Sequence, residues 1–232
     1  MESFCAYCGI GFEEMDGEAA IIARQRRVQK IMGKNFFGVE EVAKYFGIQL
    51  TKEELSKIAE IPFSDKTLQE CKDTHILFLG INRDKEGKPL TIHRFKEMFP
   101  ENGQPKFYSY QGSWYDKEEF ANKETPELRW YLMRKSILEE SRSKTYEQQE
   151  KLLKENEERE RAIVYVYEML LMFKATGERL FKDDDCVWCK DIDVAGFHVY
   201  IGEFGLEDFS VGYWWGDDGW DNMGLAPARK FD

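Results

Sequence analysis

The chain has 232 residues, 42% of them apolar and 15% aromatic, with a net charge of −11. That is enough apolar material for a real core and enough length for one large domain or two small ones. The acidic balance argues against broad, charge-driven binding to nucleic-acid phosphates, and the 33% of charged residues are mixed in sign, so disorder is not implied.

The N-terminus, MESFCAYCGIGFEEMDGE, lacks the basic start and apolar centre of a signal peptide. The longest apolar run, Ala162–Phe173, is interrupted by Glu168 and is too short to span a bilayer. A cytoplasmic protein without membrane contact is expected.

Asp16 is placed to cap a helix from Glu18 to Met32, with Ile21, Val28, Ile31 and Met32 on one side and Gly33 as its stop. Arg24, Arg26, Arg27, Lys30 and Lys34 make it the most basic stretch of the chain. Two short helices follow, Val39–Phe46 ending at Gly47, and Lys52–Glu60 behind a capping box of Thr51 and Glu54. Helix, glycine turn, helix is the outline of a helix-turn-helix. Its second helix carries Glu53, Glu54 and Glu60 against Lys52 and Lys57, too acidic for a recognition helix, so nucleic acid is not the expected partner.

Pro62 breaks the pattern before a helix over Asp65–Lys72, and the continuous apolar run from His75 to Ile81 reads as a fully buried strand. A charged turn over Asn82–Pro89 precedes a helix over Thr91–Phe99, stopped by Pro100, and a loop over Glu101–Pro105. Phe107–Tyr115 fits either a strand or an aromatic loop, and Asp116 with Glu119 boxes a short helix to Asn122. Thr125 as cap and Pro126 in the first turn predict a helix carrying Leu128, Leu132 and Met133. A polar helix is expected over Tyr146–Asn156. An amphipathic one is expected over Arg159–Thr176, with Ile163, Val166, Met169, Leu170 and Phe173 inward and Gly177 as stop.

After residue 180 the character changes. Phe197–Phe204 and Phe209–Trp215 alternate as half-buried strands joined by tight turns do. The expected class is therefore α+β, with a mainly helical part over 1–180 and a small β-rich module over 181–232. In that module Tyr213, Trp214, Trp215, Asp217, Asp218, Trp220, Asp221 and Asn222 crowd a glycine-rich loop. Large amphipathic rings beside short polar groups are the composition of a recognition surface.

Four of the five cysteines form two CxxC pairs, Cys5 with Cys8 and Cys186 with Cys189, while Cys71 falls in a helix as a small core residue. Each pair has the spacing to give two thiolates to a tetrahedral zinc, so a shared structural zinc would clip the two ends of the chain together. Two unliganded pairs, or one pair completed by a histidine, are the alternatives. The acidic groups Asp183–Asp185, Asp191 with Asp193, and Asp217 with Asp218 match no calcium-loop register and read as solvated turns. Three histidines give a triad or histidine-metal site little to work with, and no phosphate loop, dinucleotide fingerprint or nucleophile elbow is present. No enzyme is expected.

The stretch VYIGEFGLEDFSVGYWWGDDGWDNMGLAPARKF, from Val199 to Phe231, resembles the C-terminal end of the variable proteins of diversity-generating retroelements. The resemblance covers the last fifth of the chain. It implies a C-type-lectin-like module whose Tyr213, Trp214, Trp215, Asp217, Asp218, Trp220, Asp221 and Asn222 face a ligand. Gly224-Leu225-Ala226 and Arg229-Lys230-Phe231 would form its fixed closing strand. One departure stands out: adenine mutagenesis of Asn codons ending in C cannot reach Trp, which opens a scaffold role for some of the tryptophans. The resulting expectation is a non-enzymatic protein that binds another protein or other ligand through this surface. The alternative is a helix-turn-helix-like regulator acting through the basic N-terminal helices.

Overall fold

The computed structural model describes residues 17–99, 105–108 and 112–232. The Cys5–Cys8 pair, the Asp16 cap, Pro100 and most of the Glu101–Pro105 loop lie outside the described residues, as do residues 109–111 of the aromatic run. The α+β class holds: helices and two mixed sheets share one chain.

The helical layer is α1 (Gly17–Met32), α2 (Val39–Phe46), α3 (Lys52–Lys57) and α4 (Asp65–Cys71). Thr51 and Ser64 each cap a helix by accepting from a backbone N–H three residues on, at 3.2 Å. Beside this layer runs the first sheet. Its strands are β1 (Phe36–Phe37), β2 (His75–Leu79), β3 (Trp130–Arg134) and β4 (Glu157–Glu158), with β9 (Ala228–Arg229) reaching in from the far end of the sequence. The order is β1-β2-β3-β9-β4, with β1 parallel to β2 and every other pair antiparallel. The remaining helices are α5 (Ile92–Met98), α6 (Glu119–Asn122), α7 (Tyr146–Glu150) and α8 (Ala162–Thr176). The second sheet consists of β5 (Cys186–Ile192), β6 (His198–Gly202), β7 (Ser210–Trp214) and β8 (Met223–Gly224), in the order β7-β6-β5-β8.

The strand expected at His75–Ile81 is present as β2, buried on both faces. The helix expected from Thr125 is not: Trp130–Arg134 is β3, paired residue for residue with β2 from His75↔Arg134 to Leu79↔Trp130. The reason is two-sided burial. Trp130 stacks on Phe36 at 5.9 Å and donates from its indole to the Ile58 carbonyl at 3.0 Å on the helical side. Tyr131 stacks on Phe78 at 5.3 Å on the other side, where Phe78 meets Tyr167 of α8. Only an extended segment sends successive large side chains into two opposite layers. The polar helix is also shorter than expected, with α7 ending at Glu150.

Helix α8 was expected to bury one stripe, but it is buried on every side from Ala162 to Met172. It touches both sheets: the Tyr167 hydroxyl donates to Leu79 O of β2 at 3.0 Å, and Phe173 packs on Phe204 beyond β6 at 5.3 Å. A helix apolar all round is a core helix, not a surface one. Among its residues Glu168 is 1% exposed, and neither carboxyl oxygen has a hydrogen-bond partner among the described residues.

The division at 180/181 is crossed repeatedly. β9 fills the slot between β3 and β4, Phe107 bridges to Phe209, and Asp232 accepts from Ser64 N at 2.6 Å and from the Thr67 hydroxyl at 2.8 Å. Val187, Cys189, Val199, Ile201 and Val211 of the second sheet belong to the same apolar core as β2, β3 and α8. Among the described residues no helix is long and apolar enough to cross a membrane.

Candidate binding face

Strand β7 pairs with β6 in register, Ser210↔Gly202 through Trp214↔His198, and is the outer strand of the second sheet. Alternation along it sends Tyr213 to the side of Val199 and Trp214 to the side of His198. Tyr213 contacts Trp114 at 4.6 Å and Phe197 at 5.3 Å, and Phe197 also meets the Trp215 ring at 3.8 Å. Trp114 is itself fixed, its indole donating to Val211 O at 2.7 Å. On the other side Trp214 and Trp220 meet at 4.9 Å with their planes tilted by 64°. All four rings expected at a binding surface are open to solvent: Tyr213 is 40%, Trp214 37%, Trp215 61% and Trp220 43% exposed. The large buried indoles are Trp130 and Trp188, outside the predicted set.

The loop after β7 is exposed in its side chains and held by its backbone. Gly216 sits at φ +77°, and a Cβ there would stand 2.5 Å from the His198 ring, so glycine is required twice over. Its carbonyl accepts from Tyr146 N at 2.9 Å, and the Trp220 carbonyl accepts from Ser143 N at 2.9 Å. Arg142 donates to Asp221 O at 2.9 Å and to the Asp185 carboxylate at 2.7 and 3.2 Å. Asn222, half-buried, donates from its side chain to Asp184 O at 2.9 Å, while its carbonyl accepts from Cys186 N at 2.8 Å. Asn222 therefore braces the loop. Asp217, Asp218 and Asp221 are exposed, and their carboxylates have no hydrogen-bond or ion-pair partner among the described residues.

Behind Trp214 lies a second aromatic group that the sequence reading missed. The His198 ring stacks on Tyr146 at 3.7 Å and 14°, Trp188 meets both edge-on, and the Arg159 guanidinium lies 4.2 Å over Tyr146. Burial and the neighbouring Arg159 lower the His198 pKa, against a smaller pull from Glu150, which favours the neutral ring. Tyr146 and Trp114 lie 52 or more positions from any of Trp188, His198 and Tyr213 in sequence, except for the 42 between Tyr146 and Trp188, and no local pattern links them.

The second CxxC pair does not have the geometry that its spacing suggests. Cys186 and Cys189 lie in β5, three residues apart on an extended strand, and so face opposite sides of the sheet. Cys186 packs with Trp188 and Met223, and Cys189 lies in the main core. Each thiol donates to a nearby carbonyl at 3.7 Å, and burial pushes both thiol pKa values up, against the thiolate form that zinc takes. As folded, this pair does not fit two-point ligation of one zinc. Cys5 and Cys8 lie outside the described residues, among which no group of three or more His, Cys, Asp or Glu is placed to hold a metal ion.

The arginines of α1 are met by carboxylates of neighbouring helices. Arg24 pairs with Glu60, Arg26 with Glu40 at 3.5 Å, and Arg27 with Asp65. Their charge is balanced within the fold.

No protein-family model matches the chain, no curated protein matches its sequence, and no solved structure matches its fold.

Proposed function

We propose that the protein is a non-enzymatic binding protein whose β7 edge and following loop form the ligand-facing surface. In this reading the C-terminal segment works as the lectin-like ends it resembles, with Tyr213, Trp214, Trp215 and Trp220 as anchors. Asp217, Asp218 and Asp221 then select for basic groups, and Asn222 holds the loop. The ligand is a protein segment that carries apolar and cationic side chains. Indole faces attract cations, and uncompensated carboxylates beside them add to that preference.

One observation carries the reading: four large aromatic rings stand open to solvent on backbone that is pinned by hydrogen bonds. Pre-organised aromatic anchors are what a binding surface needs, because little entropy is lost when they engage.

The test is a displayed random-peptide selection on the intact chain, counter-selected against a Trp214→Ala, Trp215→Ala, Trp220→Ala triple variant. Peptides that bind only the unaltered protein and are rich in Lys or Arg support the reading. If the variant keeps its melting temperature and every selected peptide binds both proteins, this surface is not the site.

A further inference from the structure

Elsewhere in the fold the aromatic rings have cations of their own. The Arg159 guanidinium lies over Tyr146, Arg129 lies over Tyr131 at 4.2 Å, and Arg179 lies over Phe173 at 4.8 Å. Among the described residues no lysine or arginine lies over Trp214 or Trp220, although both indoles are open to solvent. The sequence supplies none nearby: between Lys190 and Arg229 it has eight acidic residues and no lysine or arginine. Two cations do stand on the segment that faces the loop. Arg142 is bound to Asp185 and Glu139, and Lys144 has no ion pair with the loop, so neither neutralises Asp217, Asp218 or Asp221.

The two indoles form a corner. Trp214 projects from the end of β7 and Trp220 from the loop that returns to β8, with centroids 4.9 Å apart and planes tilted by 64°. Both walls are held from behind. Trp214 is fixed by its pairing with His198, and the Trp220 backbone by its carbonyl, which accepts from Ser143 N at 2.9 Å. The corner therefore exists before anything enters it.

We propose that the Trp214–Trp220 corner receives the side chain of a trimethylated lysine, an inference that rests on the reading of this face as a protein-binding surface. Two indole faces at an angle attract a cation from two sides, the arrangement that aromatic cages use for quaternary ammonium groups. A plain ammonium is compact and strongly hydrated, and ring faces are poor substitutes for the hydrogen bonds it would give up. Methyl groups remove those donors, spread the charge and add contact with ring carbons. The three loop carboxylates supply attraction without a fixed hydrogen bond, which again favours the form that needs none. The same charge balance speaks against a phosphocholine lipid headgroup, whose phosphate would meet acidic residues where it needs cationic ones.

The experiment follows the indole N–H signals of the full chain in nuclear magnetic resonance during titration with the peptide acetyl-Gly-Lys-Gly-amide. The lysine is supplied unmodified, trimethylated, or as the neutral analogue in which carbon replaces the trimethylated nitrogen, and phosphocholine is titrated in parallel. The trimethylated peptide is expected to bind about tenfold more tightly than the other three, with the largest shifts at Trp214 and Trp220. Trp220→Ala is expected to weaken it about tenfold without lowering the melting temperature, since the ring is exposed and the backbone makes the loop contacts. Equal binding of the trimethylated and unmodified peptides overturns the proposal, as does equal binding of the neutral analogue. Tighter binding of phosphocholine does so too. These comparisons use the unaltered chain, so they decide the matter even if the variant fails to fold. The peptide selection described above reports separately on the face itself. Selected peptides that lose binding in the triple tryptophan variant, together with no preference for trimethylation, would overturn this inference and leave the binding-face reading standing.

Discussion

Glu168 gives the fold an acid group where an apolar one would serve, and the cost can be measured. Both carboxyl oxygens are buried inside α8 without a partner among the described residues, and burial alone drives the pKa well above its ordinary value of 4.5. The sign follows from which state holds the proton. Near pH 4 the carboxyl is protonated in both the folded and unfolded chains and contributes no difference. As the pH rises past 4.5 the unfolded chain releases the proton and the folded chain keeps it, so stability falls until the folded pKa is reached. Each unit between the two pKa values costs about 1.4 kcal/mol at high pH. Glu168→Met keeps the volume and removes two unpaired polar atoms, each worth about 1–3 kcal/mol when buried. A net gain of about 2 kcal/mol at pH 8, or roughly 4–8 °C in melting temperature for a chain of this size, is expected. The gain should shrink toward pH 4. The assay is thermal unfolding of both proteins from pH 4 to 8, read as the difference between them, which cancels the buried Glu160 and half-buried Asp191, whose pKa values are also raised by desolvation. A gain that does not change with pH would refute the protonated state, and a variant less stable at pH 8 would refute the absence of a partner.

His75 has the opposite sign. With its folded pKa pulled down to about 3, the neutral ring supports the fold above pH 6.5, and that support is lost as the pH falls toward 3. Its ring signals in nuclear magnetic resonance should hold their neutral positions down to about pH 4; a midpoint near 6.5 would contradict the burial. Arg142→Ala should loosen the loop after β7, losing its bonds to Asp221 O and Asp185, at a cost of about 1–2 kcal/mol in denaturant unfolding. Peptides selected on the intact protein should bind the variant more weakly, and unchanged affinity would remove Arg142 as a brace of the site. Alkylation mapped by mass spectrometry should find Cys71, Cys186 and Cys189 protected in the native protein and reactive only in denaturant, because all three thiols are buried with raised pKa values. Rapid labelling of Cys186 or Cys189 without denaturant would overturn the assignment of β5.

Elements that bury one long pattern were legible in the sequence. The run of apolar residues at β2, the capping box of α3 and the glycine stop of α8 all follow from local signals. β3 was not legible, because Leu128, Leu132 and Met133 satisfy a helical spacing and Pro126 supplies a helix start. What decides the segment is the presence of two apolar layers, one on each side, and five residues cannot reveal that. The two-residue strands β4, β8 and β9 are too short to have a period at all. At the candidate site, the exposed rings were identifiable from composition, but Trp114, Phe197 and the Tyr146–His198 stack are assembled by chain segments distant in sequence. The CxxC pair misled because its spacing was read as a turn, while its neighbours Val187 and Trp188 favour a strand.

The insertion of β9 between β3 and β4 also sets an order of events during synthesis. A ribosome delivers β1 to β4 well before Ala228 and Arg229, so the growing chain holds β3 with an open flank until those two residues emerge. An unpaired strand flank of this kind can recruit the wrong partner, and closing it through a pairing nearly a hundred residues away is slow. A chain cut off before residue 228 would keep that flank open, and its fate would be association with other copies rather than a smaller folded domain.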